Sequence, residues 1–331
     1  MKSPVLILFG PTASGKTALI ERHFSLSPGK NLIDKPIEVI SADSMQVYRG
    51  MDIGTAKPSP EERQKVPYHL IDIKNPDEQF HAGEFVALAE KACHEITARG
   101  SFPVISGGTG FYIKNFIYGL PEAPPADAKI REELHKDLAL LGLPALREEL
   151  EKADPVSAER IHINDEYRLL RALEVFRLGG RPLSSYPKIP AKESPFNFLL
   201  IGIKWERDQL YRRINERCSA MFKSGLIDEV KALYEKGYTP HDPGLRAIGY
   251  REFFIENLDK SINLPFRLSK DYKGVEALVA QNSRRYAKRQ MTFFSPLTNV
   301  KWIDMEDMDK NPDKFFDKYI MEIRNTMENM S

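Results

Sequence analysis

Cysteine is scarce in this chain, and long apolar runs are absent. The sequence has 331 residues and two cysteines, Cys93 and Cys218, which lie far apart and lack the spacing of metal ligands. This argues against a structural zinc site and favours a reducing compartment. No apolar run approaches the length of a transmembrane helix, and the short N-terminal run lacks the features of a signal peptide. We therefore expect a cytoplasmic protein that does not enter a membrane.

A large excess of charge of either sign is also missing. Lysine and arginine number 48 against 47 acidic residues, giving a net charge of +1. This balance neither favours nor excludes a nucleic-acid partner, because basic residues cluster locally at Arg284-Arg285 and Lys288-Arg289. A chain of this length suggests two domains, or one domain with an insertion.

The most informative stretch lies near the N-terminus. An apolar strand, Val5 to Phe9, leads into a loop of the form G-x-x-x-x-G-K-[ST] and then a helix, the arrangement of a phosphate-binding P-loop. The loop's glycines and backbone N–H groups suit a di- or triphosphate, the lysine adds a charge, and the last hydroxyl suits Mg²⁺. The loop residues are Gly10, Pro11, Thr12, Ala13, Ser14, Gly15, Lys16 and Thr17.

Two further strands are predicted to end near this loop. One spans residues 38–42 and is followed by Asp43, and the other spans 102–106 and is followed by Gly107-Gly108-Thr109-Gly110. Ligands of parallel α/β sheets lie at the carboxyl ends of the strands, so Asp43 and Thr109 become candidates for chemistry. The alternative for Asp43 is a capping role in the following turn.

The predicted fold class is α/β, a P-loop NTPase-like parallel sheet with flanking helices and an inserted all-helical domain. Strand and helix patterns alternate over residues 1–120, helical patterns fill 121–194, and a strand returns at 196–203 within the second core segment, 195–331. We interpret 182–195 as a linker and 257–273 as an irregular connection.

Arginines mark two predicted helices of the second core segment. Arg213 and Arg217 are four residues apart on the helix 207–223 and share a face. The last basic helix, 282–290, places arginine and lysine around Tyr286, a pattern compatible with RNA backbone contacts and equally with a solvated face.

Taken together, these motifs closely resemble the bacterial tRNA dimethylallyltransferases, the IPP transferase family. The most specific block runs from Ala42 to Lys57, Ala-Asp-Ser-Met-Gln-Val-Tyr-Arg-Gly-Met-Asp-Ile-Gly-Thr-Ala-Lys. The resemblance extends from the first strand to about Phe294. Its other motifs are the P-loop, Gly107–Gly110, Asn164–Arg168 with Arg171–Glu174, Ala247–Tyr250 and Arg285–Gln290.

The resemblance implies a reaction and roles for the residues already selected. A dimethylallyl group would pass from dimethylallyl diphosphate to N6 of adenosine-37, beside the tRNA anticodon, with release of diphosphate. Asp43 would be the general base, Thr109 would donate to the bridging or departing oxygen, and the P-loop with Lys16 would hold the diphosphate. Arg217, with Arg213 as neighbour, would neutralise the developing charge, and Thr17 would bind Mg²⁺.

The resemblance also implies a tRNA-binding surface that holds the anticodon stem-loop. The helical insertion would close over that arm, and the target base would leave its stack to enter a pocket lined by Ser44, Met45 and Gln46. Besides Asp43 and Thr109, the implied tRNA contacts are Ser44, Met45, Gln46, Arg131, Asn164, Asp165, Glu166, Tyr167, Arg168, Arg246, Ala247, Ile248, Gly249, Tyr250, Arg251, Arg284, Arg285, Lys288, Arg289 and Gln290.

Other functions share parts of this pattern. A P-loop small-molecule kinase would use ATP, a prenyltransferase acting on free adenine nucleotides would not need the helical insertion, and a nucleotide-gated RNA-binding module would bind without turnover. The sequence leaves open whether Arg213 or Arg217 is the main diphosphate ligand. Nothing in it requires more than a monomer.

Overall fold

A computed structural model of the chain describes residues 2–24, 35–120, 122–187, 194–257, 265–306 and 325–326. The chain divides into two compact units. One comprises Met1–Ile117 and Pro195–Ser331, and the other comprises Tyr118–Ser194, close to the boundaries predicted for the inserted domain. Pro121, residues 188–193 of the predicted linker and 258–264 of the predicted connection lie outside the described residues.

The first unit contains a six-stranded sheet whose described strand pairs are all parallel. The sheet order is β3-β2-β4-β1-β5-β8, and β6 and β7 form a separate antiparallel pair. The parallel α/β sheet predicted from the sequence is confirmed. In chain order the strands are β1 (Ser3–Phe9), β2 (Ile37–Ser41), β3 (Tyr68–His69), β4 (Phe102–Gly107), β5 (Phe196–Lys204), β6 (Phe254–Glu256), β7 (Phe266–Leu268) and β8 (Val300–Asp304).

Helices connect these strands and build the second unit. The helix bounds predicted at 207–223 are confirmed by α8. The helices are α1 (Lys16–Phe24), α2 (Pro60–Lys65), α3 (Ala82–Ala98), α4 (Gly110–Tyr118), α5 (Ala128–Ala153), α6 (Pro155–Arg160), α7 (Glu166–Gly179), α8 (Arg207–Lys223), α9 (Leu226–Glu235) and α10 (Tyr272–Phe294).

The central strands are apolar on both faces, as a parallel sheet covered by helices requires. Leu6 and Leu8 of β1, Val39 of β2 and Val104 of β4 are at most 1% exposed. In the register of these strands, Leu6 and Val39 lie on either side of Val104. The carboxyl ends of β1, β2 and β4 consequently meet at one edge, which carries the P-loop, Asp43 and the Gly107–Gly110 turn.

The second unit is all-helical. Its core is built on Leu134, Leu146, Leu150, Leu169 and Leu173. Gly142 adopts a φ of 79° within α5, so this helix bends at that residue. A left-handed φ of this kind is easily accessible to glycine and interrupts the helix locally.

Two features of the first unit differ from the sequence expectation. Strand β8 was not predicted, because two of its five residues, Val-Lys-Trp-Ile-Asp, are charged. It pairs with β5 at the edge of the sheet, where a strand has a neighbouring strand on one side only. The connection predicted as irregular over 257–273 contains β7 and the start of α10. Asp271 caps α10 by accepting from the Gly274 N–H, a signal that the surrounding polar residues obscured.

A carboxylate in β2 links the sheet to the end of α3. Glu38 accepts from Arg99 Nε at 2.6 Å and lies 2.7 Å from His69 Nε2 in β3. Hydrogen bonds from Arg99 are the largest cause that lowers the pKa of Glu38 to about 2, against the opposing effect of burial. A carboxyl whose pKa falls on folding stabilises the fold above its unfolded value, about 4.5, and loses that contribution as the pH drops.

We expect Glu38→Gln to lower the free energy of unfolding by about 1–3 kcal/mol at about pH 6, since Arg99 is itself half exposed and partly screened. The difference from the wild type should shrink at about pH 3, where Glu38 begins to take up its proton. Urea unfolding at both values measures this. Glu95→Gln, which alters an exposed carboxylate on α3, is the control, and an equal loss at both pH values would contradict the ion-pair account.

Candidate active site

The P-loop forms a strained turn between β1 and α1. Ala13 has a φ of 61° and Gly15 a φ of 91°, so two of its residues occupy the left-handed region. Lys16 Nζ donates to the carbonyls of Gly10 at 3.0 Å and Pro11 at 2.9 Å. A bound phosphate could replace these two contacts of the Lys16 ammonium group.

Side chains from outside the loop hold its carbonyls in place. Trp205, just after β5, donates from Nε1 to Ser14 O at 3.0 Å, and Arg213 on α8 donates from Nε to Ala13 O at 3.1 Å. The Arg213 guanidinium also lies 4.4 Å from the Trp205 ring centroid. Arg213 therefore supports the loop backbone, whereas Arg217 donates to the Thr12 hydroxyl at 3.0 Å.

Gln290 on α10 ties the P-loop to the second glycine-rich turn. Its Oε1 accepts from Thr12 N at 2.9 Å, and its Nε2 donates to Gly108 O at 2.7 Å. A Cβ on Gly108 would lie 2.4 Å from Nε2, and one on Gly107 would lie 2.1 Å from Ala42 O. These two glycines therefore admit the protein's own Gln290 and the end of β2.

Asp43 and Thr109 face each other at this edge. Asp43 Oδ1 accepts from Met45 N at 2.9 Å, and Thr109 Oγ1 accepts from Ser44 N at 2.9 Å. The Thr109 hydroxyl can in turn donate to Ser44 Oγ at 3.3 Å. The two candidate reacting groups are thus fixed by backbone N–H groups of adjacent residues, which leaves little freedom for either.

Two cavities meet at Asp43. The larger, about 690 Å³, runs along the P-loop and contains Lys16 and Thr17 in its wall. The smaller, about 270 Å³, has an apolar wall of Ile214, Cys218, Met221 and Val279. The residues that line both are Thr12, Ala13, Asp43, Thr55, Arg217 and Tyr286.

Charge is concentrated where the cavities join. Burial is the main cause that lowers the pKa of Lys16 to about 7; the Arg217 charge adds to this, and Asp43 opposes it. Burial also lowers the pKa of Arg217, again opposed by Asp43. Two partly buried cations beside one carboxylate form a site with an excess of positive charge, which suits an anion of high charge such as a diphosphate.

Comparisons with known proteins agree with this geometry. The sequence model described as IPP transferase matches residues 46–296. The chain is 44% identical to the tRNA dimethylallyltransferase of Geobacter sulfurreducens, over 92% of each chain. The chain belongs to the IPP transferase family. Its resemblance to this family, inferred from the motifs, is confirmed.

Solved structures of this family share the fold. The full-length tRNA isopentenylpyrophosphate transferase of Bacillus halodurans matches with a TM-score of 0.63 and 41% identity, covering 99% of this chain and 97% of that one. A eukaryotic dimethylallyltransferase acting on tRNA matches with a TM-score of 0.73 at 24% identity, covering 94% and 77%. The P-loop NTPase-like fold class is confirmed.

Tyr286 is a cavity residue that the sequence interpretation passed over. It lines both cavities, and burial raises its pKa to about 12, with the Asp43 charge adding and hydrogen bonds to Thr109 and Gln290 opposing. The phenol is therefore a neutral donor beside the candidate base. The signal was present: Tyr286 lies four residues before Gln290, so both share one face of α10.

The Gln46 side chain makes hydrogen bonds within the protein that its sequence context did not reveal. Its Oε1 accepts from Ser41 Oγ at 2.9 Å, and its Nε2 donates to Ala56 O at 3.2 Å. Contact with the target base, which the resemblance implies for Gln46, would compete with these bonds. Ser44 and Met45, predicted in the same pocket, do line the smaller cavity.

The segment 246–251 is divided between the cavity and the core. Tyr250 is fully buried, and its hydroxyl donates to Glu229 Oε1 at 2.6 Å, so this predicted tRNA contact serves the protein interior instead. Gly249 N donates to Glu252 Oε2 at 2.9 Å. The remaining members line the smaller cavity: Arg246, Ala247, Ile248 and Arg251.

The basic residues of α10 are also divided. Arg289 lines the smaller cavity, and Arg285 and Lys288 are exposed. Arg284 donates to Asn215 Oδ1 at 2.5 Å. Gln290, predicted as a tRNA contact, is 5% exposed and occupied by the P-loop tie.

The remaining predicted tRNA contacts belong to the helical unit. Arg131 pairs with the buried Glu174 at 3.1 Å, and Asp165 caps α7 by accepting from Arg168 N. The Arg168 guanidinium also pairs with Asp165. Asn164, Glu166, Tyr167 and Arg168 are exposed. Their contact with tRNA stays a prediction.

The described residues do not form a magnesium site made of acidic, histidine or cysteine side chains alone. Among the described residues, no group of three or more histidine, cysteine or acidic side chains could hold a metal ion. Thr17 lines the larger cavity beside Lys16. One hydroxyl together with substrate oxygens and water fits Mg²⁺, which commonly binds through few protein ligands and through phosphates.

We expect Lys16 to become protonated when inorganic diphosphate binds together with Mg²⁺. Because its pKa is about 7 in the free protein, binding at about pH 8 should take up about 0.9 proton, and uptake should fall at about pH 6. Calorimetry in two buffers of different ionisation enthalpy measures this number. Lys16→Arg should bind without proton uptake, and equal uptake by both proteins would contradict the assignment to Lys16.

Proposed function

We propose that this protein transfers a dimethylallyl group from dimethylallyl diphosphate to N6 of adenosine-37 in tRNA, releasing diphosphate. One observation supports this most strongly: Asp43 lies where a cationic phosphate cavity meets a second cavity with an apolar wall. Two substrates entering from the two cavities would meet at that carboxylate. Relatives of this chain that are named tRNA dimethylallyltransferases support the same reaction.

The donor's diphosphate fits the larger cavity. Lys16, Arg217 and the P-loop backbone would contact its oxygens, and the dimethylallyl group would extend toward the apolar wall of the smaller cavity. Arg217 is better placed than Arg213 as the main diphosphate ligand, because its guanidinium reaches Thr12 and lines both cavities, whereas Arg213 Nε is held by Ala13 O. Thr17 would hold Mg²⁺, which neutralises diphosphate charge when bound.

The chemical step is alkyl transfer to a weak nucleophile. The bond between C1 of the donor and the bridging oxygen breaks, and its electron pair leaves with the diphosphate. N6 of adenine forms the new bond to C1, and its proton passes to Asp43. Lys16 and Arg217 would stabilise the leaving charge, and the Thr109 hydroxyl would donate to the departing oxygen.

The acceptor base must leave its stack to reach this depth. Ser44, Met45 and the four lining residues of the segment 246–251 (Arg246, Ala247, Ile248 and Arg251) would line its path, and Arg289 would contact the adjacent RNA backbone. The anticodon stem-loop would contact the exposed residues of α10. Among the described residues no helix is long and apolar enough to cross a bilayer, and the cytoplasmic location and monomeric state remain predictions.

The reaction itself is tested by supplying alternative donors and acceptors. Purified protein with Mg²⁺ receives labelled dimethylallyl diphosphate and unmodified tRNA, and a parallel reaction receives ATP labelled at its terminal phosphate. We expect label in tRNA from the prenyl donor alone. Phosphate transfer from ATP would instead identify a kinase, and prenylation of free AMP but not tRNA would identify a prenyltransferase of free nucleotides.

Asp43→Asn tests the proposed base. The amide keeps the acceptor for Met45 N but cannot take the N6 proton, so we expect kcat to fall by about 10²–10⁴-fold. The affinity for an anticodon stem-loop should change by less than about threefold, because no backbone contact is lost. Single-turnover rates and fluorescence titration measure the two quantities. A parallel loss of RNA binding would contradict the assignment.

Arg289→Ala tests the RNA-facing end of α10. Removing one phosphate contact should raise KM for tRNA and reduce the slope of log Kd against log salt by about one. Lys91→Ala, which removes an exposed lysine from α3, is the control. If the slope is the same in both variants and the wild type, Arg289 does not contact a phosphate.

A further inference from the structure

Glu229, in the first turn of α9, receives four hydrogen bonds although it lies outside both cavities. Its Oε2 accepts from Asp52 N at 2.9 Å and Ile53 N at 2.8 Å. Its Oε1 accepts from Gly54 N at 3.1 Å and from the Tyr250 hydroxyl at 2.6 Å. Three successive backbone donors and one phenol therefore converge on a single carboxylate.

These four donors come from two segments that line the same cavity. Gly54 and Thr55 form part of the wall of the smaller cavity, and so do Ala247 and Ile248, which precede Tyr250. The two segments are nearly two hundred residues apart in sequence. Glu229 is thus the bridge between two wall segments of the cavity assigned to the target base.

The Tyr250 ring packs directly against the segment that Glu229 holds. A Cβ on Gly54 would lie 2.5 Å from the Tyr250 ring, so the ring lies directly on the backbone of residue 54. Burial, followed by the Glu229 charge, raises the pKa of Tyr250 well above its ordinary value, so the phenol keeps its proton and donates. At this point the backbone of Gly54 forms the cavity wall, and the Tyr250 ring and the Glu229 carboxylate support it from behind.

Only an ionised carboxylate accepts on both of its oxygens. A glutamine at this position would direct its NH₂ group at two of the four donors, leaving them without an acceptor. The segments would then separate, and the cavity that they line would change its width. The described hydrogen bonds of Glu229 do not include the P-loop residues Gly10–Thr17, which would keep their geometry.

We propose that Glu229 is a positioning residue that sets the shape of the base-binding cavity by joining the segments 52–54 and 246–250. This inference rests on the proposed tRNA prenyl transfer. Its consequence is selective: losing the carboxylate impairs use of the tRNA while sparing recognition of the prenyl donor.

The experiment measures kcat and both KM values for three variants. Glu229→Gln removes the charge at constant size, and Tyr250→Phe removes one of the four hydrogen bonds while keeping the ring. Asp228→Asn is the matched control, because this neighbouring carboxylate is 82% exposed and pairs only with Lys231 among its described partners. Thermal unfolding and binding of a labelled anticodon stem-loop are measured for each.

For Glu229→Gln we expect KM for tRNA and Kd for the stem-loop to rise at least about tenfold, with KM for dimethylallyl diphosphate within about twofold of the wild type. Tyr250→Phe should show a smaller rise in the same two quantities, and Asp228→Asn no change. Should Glu229→Gln fail to fold, Tyr250→Phe alone decides the question.

Unchanged tRNA parameters in a folded Glu229→Gln protein would overturn the inference, and so would an equal loss for both substrates together with a lower Tm. Failure of the wild type to transfer the prenyl group would instead refute the proposed function. The two failures are therefore distinguishable, since the second is seen without any variant.

Discussion

The structure depends on the close approach of two strand ends. Where β2 and β4 finish, Gly107 lies so near Ala42 O that no side chain fits between them. Thr109 N closes the junction by donating to the same carbonyl at 3.1 Å. This contact brings Asp43 and Thr109 to one point beside the P-loop. The apolar burial of the sheet stabilises this arrangement, and the two strand ends fix the positions of the Asp43 carboxylate and the Thr109 hydroxyl.

Around this point lie two cavities with one shared boundary. The larger cavity is lined by the P-loop with Lys16 and Arg217, and the smaller one by apolar side chains and by a loop segment that Glu229 holds. Lys57, buried against Tyr48 O and paired with Asp52 and Asp72, stabilises the same 43–57 segment that Glu229 holds from the other side. A specific loop shape therefore arises without regular secondary structure, from charges that the fold buries and pairs.

The sequence was sufficient to predict the sheet, the P-loop and the residues whose chemistry is tied to a strand end, since the period of burial and the motif spacing are local properties. It was insufficient for side chains whose partners are distant. Gln290 and Tyr250 both belong to motifs next to basic residues, and both were assigned to RNA; their partners, Thr12 N and Glu229, lie 278 and 21 residues away. Strand β8 was not predicted because an edge strand needs fewer apolar residues than a central one.

The central claim is that two substrates meet at Asp43. The most direct measurement is a crystal structure of the protein with an anticodon stem-loop and the unreactive thio analogue of dimethylallyl diphosphate. The account predicts the diphosphate against Lys16 and Arg217, the flipped adenine in the smaller cavity, and N6 within about 3.2 Å of the Asp43 carboxylate and about 3.5 Å of donor C1. An adenine bound elsewhere, or a diphosphate outside the P-loop, would contradict it.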